Sequence, residues 1–213
     1  LLLAGWISEQ LVESMDGTTY GVVDPRMPFM FGPTEEGEFV GTENGAGRGN
    51  AGEAGERSTL VRDSYYASDL APLFIATYAE QKFIEAEAAF GIDKDRAYAA
   101  YLAGIRAHME KIGVSSGDID TYINSPEVSV GAADFALEDI FREKFIALFL
   151  HPEAWVDARR IDYNYAGFDP PANLNPTLGG ELIRRLSYPD SETSRNGGNV
   201  PDVSLTTPIF WDE

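Results

Sequence analysis

The residues that could do chemistry here are carboxylates, a few aromatics and two histidines, because the chain has no cysteine. Glu80, Glu85 and Glu87 fall within eight positions. On a helix Glu80 and Glu87 share a face, while Glu85 points elsewhere. Paired acids are the apparatus of glycoside hydrolysis when they lie about 5–10 Å apart in a cleft and one has a raised pKa. Without such a cleft they read as a solvated acidic face, and that reading is preferred. Asp118 and Asp120 resemble part of an oxygen-rich cation loop, but the alternating acids, central glycine and closing glutamate of a calcium hand are missing. A structural calcium on so acidic a surface is left unassigned, and no other cofactor is expected.

His108 and His151 belong to no HExxH or HxH pattern. His108 falls late in a helix, and His151 sits in a break before Pro152, so both read as structural. Gly45 to Asn50 spells GAGRGN, yet no Gly-Lys-Ser/Thr follows, so it is no phosphate loop. No serine occupies a Gly-x-Ser-x-Gly elbow. The densest cluster is Glu153, Trp155, Asp157, Arg159 and Arg160. Helical spacing brings Asp157 to Arg160 and Trp155 to Arg159, so a guanidinium can stack on the indole. This reads as a structural knot of ion pairs beneath an aromatic rather than a ligand contact.

Composition narrows the partners. Aspartate and glutamate outnumber lysine and arginine 35 to 16, a net charge of −19. Such a surface repels phosphate backbones and excludes nucleic acid. It suits a neutral ligand, a cationic peptide or a metal ion. Twelve phenylalanines and ten tyrosines support a real core.

The elements that must position these groups divide the chain into three stretches of one domain. Residues 1–16 read as a helix whose beginning is missing, with Ile7, Leu11 and Met15 on one stripe, so the chain reads as a piece of a longer protein. Residues 17–71 read as irregular. Asp24-Pro25 and Met27-Pro28 favour extended or turn backbone, and Gly41–Gly55 holds six glycines without a large apolar residue. Loops this long are usually functional or disordered. Residues 72–213 read as a helical region. Pro72 suits a first turn for a helix ending at Gly91, and Asp93 caps a partner that Gly113 stops. The two form a helical hairpin close to one tetratricopeptide repeat in length. Ser115 caps a shorter helix to Ile123, and Asp134 caps a long one to Leu150. Pro152 opens the Trp155 helix, Tyr188-Pro189 closes a short helix, and Asp190 or Ser191 caps a last one before Gly197-Gly198.

Several segments, in order, carry a family resemblance. They are Asp24-Pro25-Arg26; Thr77 to Glu80 with Phe83-Ile84 and Ala86 to Ala89; Tyr101 with Gly104-Ile105; and Lys144-Phe145 with Ala147 to Phe149. Further on come Glu153, Trp155, Asp157 and Arg159-Arg160; Arg185-Leu186, Tyr188-Pro189, Glu192, Asn196 and Asn199; and Trp211-Asp212. Together they resemble the C-terminal half of the SusD/RagB family of outer-membrane nutrient-binding lipoproteins. His151-Pro152 departs from a common glycine, and Ile161 to Asn164 replaces a more proline-rich continuation.

The resemblance implies a mainly α fold, with tetratricopeptide-like hairpins supporting long irregular loops on the ligand face. It implies a non-catalytic protein at the bacterial cell surface, lipid-anchored through an N-terminal cysteine absent from this chain. Such a protein binds an oligosaccharide, or in some branches a peptide, and delivers it to a TonB-dependent transporter of SusC type. A helical scaffold that contacts only protein partners is a further alternative. Sugar recognition uses aromatic faces rimmed by polar groups. Phe29, Phe31, Phe39, Tyr65 and Tyr66 are the first candidate ligand residues, with Arg62 and Asn44 as polar contacts. Tyr163, Tyr165 and Phe168 are a second aromatic set.

Overall fold

The computed structural model describes residues 5–47, 52–53 and 55–210. Among them nine α-helices form: α1 (Glu9–Glu13), α2 (Met27–Met30), α3 (Tyr78–Ala89), α4 (Lys94–Ile112), α5 (Ser116–Ile123), α6 (Gly131–Asp134), α7 (Leu137–Ala147), α8 (Glu153–Arg160) and α9 (Asp190–Asn196). Pairing outside helices is limited, among the described residues, to isolated β-bridges. The mainly α expectation therefore holds.

The core is the α3–α4 hairpin with α5 and α7 packed on it. Its ends follow from local chemistry. Thr77 and Glu80 close a reciprocal capping box, Asp93 accepts the Arg96 amide at 3.0 Å, and Gly113 stops α4 in the left-handed region (φ 92°). Gly104 lies mid-helix because the Phe83 ring packs directly on its backbone. A Cβ there would come within 2.9 Å of Phe83 Cζ. Phe83, Tyr101, Ile105, Met109, Phe135, Ile140 and Ile146 are fully buried around this contact. Burying each large apolar side chain is worth about 1.5–3 kcal/mol.

Four boundaries differ from the sequence reading. The expected helix over 1–16 is helical only from Glu9 to Glu13 among the described residues, and Leu1 to Ala4 lie outside them. The Ile7 amide bonds Ser58 and its carbonyl accepts from Thr42, so the groups a helix would need are taken by the loop. The helix expected from Pro72 starts at Tyr78, where Thr77 caps it, and residues 72–76 take no regular structure. The helix expected from Asp134 to Leu150 is α7, shorter at both ends. Phe135 takes extended backbone to drive its ring against Phe90, Tyr98 and Tyr101. Asp139 then accepts the Ala136 amide at 2.9 Å, and Leu150 turns left-handed (φ 60°). No helix precedes Tyr188-Pro189, since the Arg184 and Arg185 amides instead bond the Leu205 carbonyl of the tail.

The stretch 17–71 lacks regular structure beyond α2, yet it is firmly attached. Its Asp24-Pro25-Arg26 turn plunges into the core. Arg26 is fully buried and pairs with Asp24 and with Glu143 of α7, both at 2.5 Å. The Tyr122 hydroxyl of α5 donates to Glu143 at 2.8 Å and accepts from Arg142 at 3.2 Å. Burial alone would raise the Glu143 pKa, but Arg26 and Arg142 outweigh it and hold the carboxyl below its ordinary range. Removing one partner of a buried ion set leaves an uncompensated charge and costs about 3–5 kcal/mol. Arg26→Met should therefore destabilise the protein by about that much in urea unfolding. Arg26→Met together with Glu143→Leu should recover part of the loss, and a double variant no better than the single one would refute the pairing.

Candidate functional site

The candidate aromatics do not stand apart as separate loop decorations. Phe39, Phe31, Phe149, Tyr66, Tyr65 and Phe74 form a continuous ladder, each ring 5.1–6.4 Å from the next. Edge-to-face and offset pairs of this kind are each worth about 0.5–1.5 kcal/mol beyond burial. Phe31 is fully buried between Phe39 and Phe149, so its ring has no free face for a ligand. Phe39, Tyr65 and Tyr66 are half-buried, and Phe29 packs on the core beside them. The Tyr66 hydroxyl lies 2.9 Å from His108 Nε2, and burial with the nearby Arg26 and Lys111 charges keeps that imidazole neutral.

At its outer end the ladder opens into a groove of about 710 Å³. Ala103 and Ala107 of α4 lie in its lining, with Phe74 and Tyr78 from the 72–78 segment and Arg106, Glu110 and Lys111 supplying charge. Tyr78 is 61% exposed. Phe74, Tyr78 and Lys111 were not among the sequence-derived candidates. Their helical spacing concealed them, since a phenylalanine just after Pro72 reads as part of a core stripe. The usable signal was the pair Tyr65-Tyr66 in a loop, which needs something to pack against.

Lys111 is held by rings rather than acids. Its ammonium sits 4.9 Å from the Phe74 centroid and 5.7 Å from those of Tyr65 and Tyr66. Burial lowers its pKa to about 8, only partly opposed by Glu80.

A second concavity, about 720 Å³, is lined by residues that include Asp162, Tyr163, Glu181, Arg184 and Thr206. It rests on the expected knot. Arg159 stacks 3.9 Å from the Trp155 ring, and the indole donates to the Tyr163 hydroxyl at 3.1 Å, which in turn donates to the Ile183 carbonyl. Arg159 also donates to the Arg184 carbonyl at 2.8 Å. Asp157 binds Arg160 and Lys144, both at 2.7 Å, and Arg160 reaches Glu87 on α3. Asp162 and Tyr163 are successive non-glycine residues with positive φ (55° and 58°), a costly backbone held by these bonds. Tyr163 packs on Phe168, and Tyr165 turns inward against Phe145.

Arg62 is exposed and lines neither concavity. Asn44 lines a separate acidic cleft of about 270 Å³ with Glu9, Glu13, Glu43 and Asp169. Partial burial and the neighbouring Glu9, Asp16 and Asp169 raise the Glu13 pKa.

The expected solvated acid face on α3 is not what the structure shows. Glu80 caps its own helix, Glu85 pairs with Lys82 and Arg96, and Glu87 pairs with Arg160. None is an unpaired acid facing another across a cleft. Asp118 accepts the Ser115 hydroxyl and Asp120 pairs with Arg106. Among the described residues no group of three or more histidine, aspartate or glutamate side chains could hold a metal ion.

A family model for SusD-like proteins, described as starch-binding associating with outer membrane, matches residues 5–189. The chain belongs to the SusD-like family. A comparison with curated proteins found no match. The matched span takes in the aromatic ladder, the Lys111 groove and the Trp155–Arg159 knot, while Trp211-Asp212 lie beyond it and outside the described residues. This is a binding family associated with the outer membrane. No helix among the described residues is long and apolar enough to cross a membrane.

Two outcomes follow. Unfolded Lys111 keeps its proton up to about pH 10.5, whereas the folded protein releases it near pH 8. Between those values the unfolded state binds the extra proton, so this residue's contribution to stability rises with pH. Below pH 8 both states are protonated and the contribution is flat. The raised pKa values of Tyr65 and Tyr66 act in the opposite sense above pH 10. Unfolding free energies measured at pH 7.5 and 9.5 should therefore rise more for wild type than for Lys111→Met. Separately, Tyr163→Phe strands the Trp155 donor and the Ile183 carbonyl, and should lower stability by about 1–3 kcal/mol by thermal or chemical denaturation.

Proposed function

We propose that this protein is a non-catalytic oligosaccharide-binding component of the bacterial cell surface, and that it delivers its ligand to a TonB-dependent transporter. A lipidated cysteine elsewhere in the protein would hold it to the outer membrane. One observation carries the reading: in a SusD-like chain, a ladder of six aromatic rings ends in an open groove with an exposed tyrosine and charged rim groups. Aromatic faces cover the apolar patches of a pyranose, while charged and polar edges hydrogen-bond its hydroxyls. A rigid ladder behind Phe74 fixes the platform before the ligand arrives, which reduces the ordering cost of binding. The acids on α3 serve caps and ion pairs, which fits binding without bond cleavage.

The acidic cleft around Glu13 favours a second reading, capture of a cationic peptide. The two are separated by one experiment. Calorimetric titration of the full-length protein with oligosaccharides should give saturable binding, and Tyr78→Ala and Phe74→Ala should each weaken it about tenfold, the loss of one stacking contact. Saturable binding of a lysine-rich peptide with no response to any oligosaccharide would replace the sugar reading by the peptide one.

A further inference from the structure

Lys111 is anomalous among the four lysines of the chain. Lys82 pairs with Glu85 at 2.8 Å, Lys144 with Asp157 at 2.7 Å, and Lys94 donates to the Phe135 carbonyl at 3.1 Å. Lys111 meets three aromatic rings instead, and no oxygen of the described residues bonds its ammonium. The chain carries 35 acidic residues, so acids as such are not scarce. The other cation of the groove, Arg106, is committed to Asp120. Glu80 is engaged in the α3 cap, and Glu110 stands on the groove rim without an ion pair to Lys111.

We propose that this groove takes an oligosaccharide bearing a uronic acid, whose carboxylate pairs with the Lys111 ammonium while the sugar ring lies against Phe74 and Tyr78. This rests on the oligosaccharide reading above and narrows its ligand. A partly desolvated ammonium without a counter-ion gains more from an arriving carboxylate than a solvated surface lysine does. The net charge of −19 opposes an anionic ligand at long range. That repulsion is screened beyond about 8 Å at physiological salt, whereas a contact pair inside the groove is screened far less.

The lowered Lys111 pKa supplies a readout that a purely structural lysine would lack. Near pH 8.5 part of the amine is neutral, and pairing with a carboxylate draws a proton onto it. The test uses the full-length protein titrated with an oligogalacturonide, a neutral oligosaccharide of equal length and a sulfated one, in buffers of different ionisation enthalpy. The uronate should bind at least about tenfold tighter than the neutral sugar and take up a proton at pH 8.5 but not at pH 6.5. Lys111→Met should erase both the preference and the proton uptake, so that the uronate and the neutral sugar bind with equal affinity. Lys111→Arg should keep the preference without the uptake. Equal affinity for uronate and neutral sugars, with Tyr78→Ala still weakening both, would overturn the uronate assignment and leave the binding groove standing. A sulfated sugar that outranks the uronate would also overturn it. Failure of every sugar to bind would instead overturn the oligosaccharide reading itself.

Discussion

The Arg26 guanidinium governs how this molecule is put together. It enters the core from an irregular stretch, with no water contact, and is neutralised by Asp24 two residues away and by Glu143 of α7. A charge in that position is costly unless its partners are in place, so the 17–71 segment has one docked position and strong penalties for others. Tyr122 and Arg142 complete the set and tie α5 and α7 to the same point. The irregular region is therefore held by a specific electrostatic lock at its base, not by regular backbone pairing.

From that lock the consequences run outward. Arg26 fixes the turn into α2, which places Phe31 at the base of the aromatic ladder. The ladder crosses to Phe149 just beyond α7, returns through Tyr66 and Tyr65, and sets Phe74 over the end of α4. The groove at Lys111 is thus built by three segments far apart in sequence. A second set of charges, Lys144, Asp157, Arg160 and Glu87, joins α7, α8 and α3. Beside it, bonds from Trp155, Ile183 and Arg184 hold the Asp162-Tyr163 backbone in a conformation that neither residue would keep alone.

Much of the helical frame was readable because it depends on short-range rules. Asp93 and Ser115 are caps, Gly113 is a stop, and Trp155 meets Arg159, all from spacing within a turn or two. The errors share a cause. Phe135, Pro72 and residues 1–16 carry acceptable helical patterns, but at Phe135, Phe74 and Trp6-Ile7 distant partners compete for the backbone or ring. The same reason explains the partial reading of the site. Tyr65 and Tyr66 were identifiable as loop aromatics, whereas Phe74 reads as part of a core stripe and Lys111 carries no local signal of the rings it meets.

By itself the sequence determined the α class, the hairpin with its caps and stops, and the indole–guanidinium contact, since each depends on residues within about one or two helical turns. Tertiary structure alone decided that Arg26 is a buried lock, that Phe31 is a base and Phe74 a rim, and that Lys111 faces rings without an acid. Those properties depend on burial and on partners dozens of residues away, and a side chain's solvation is set only when the chain closes around it.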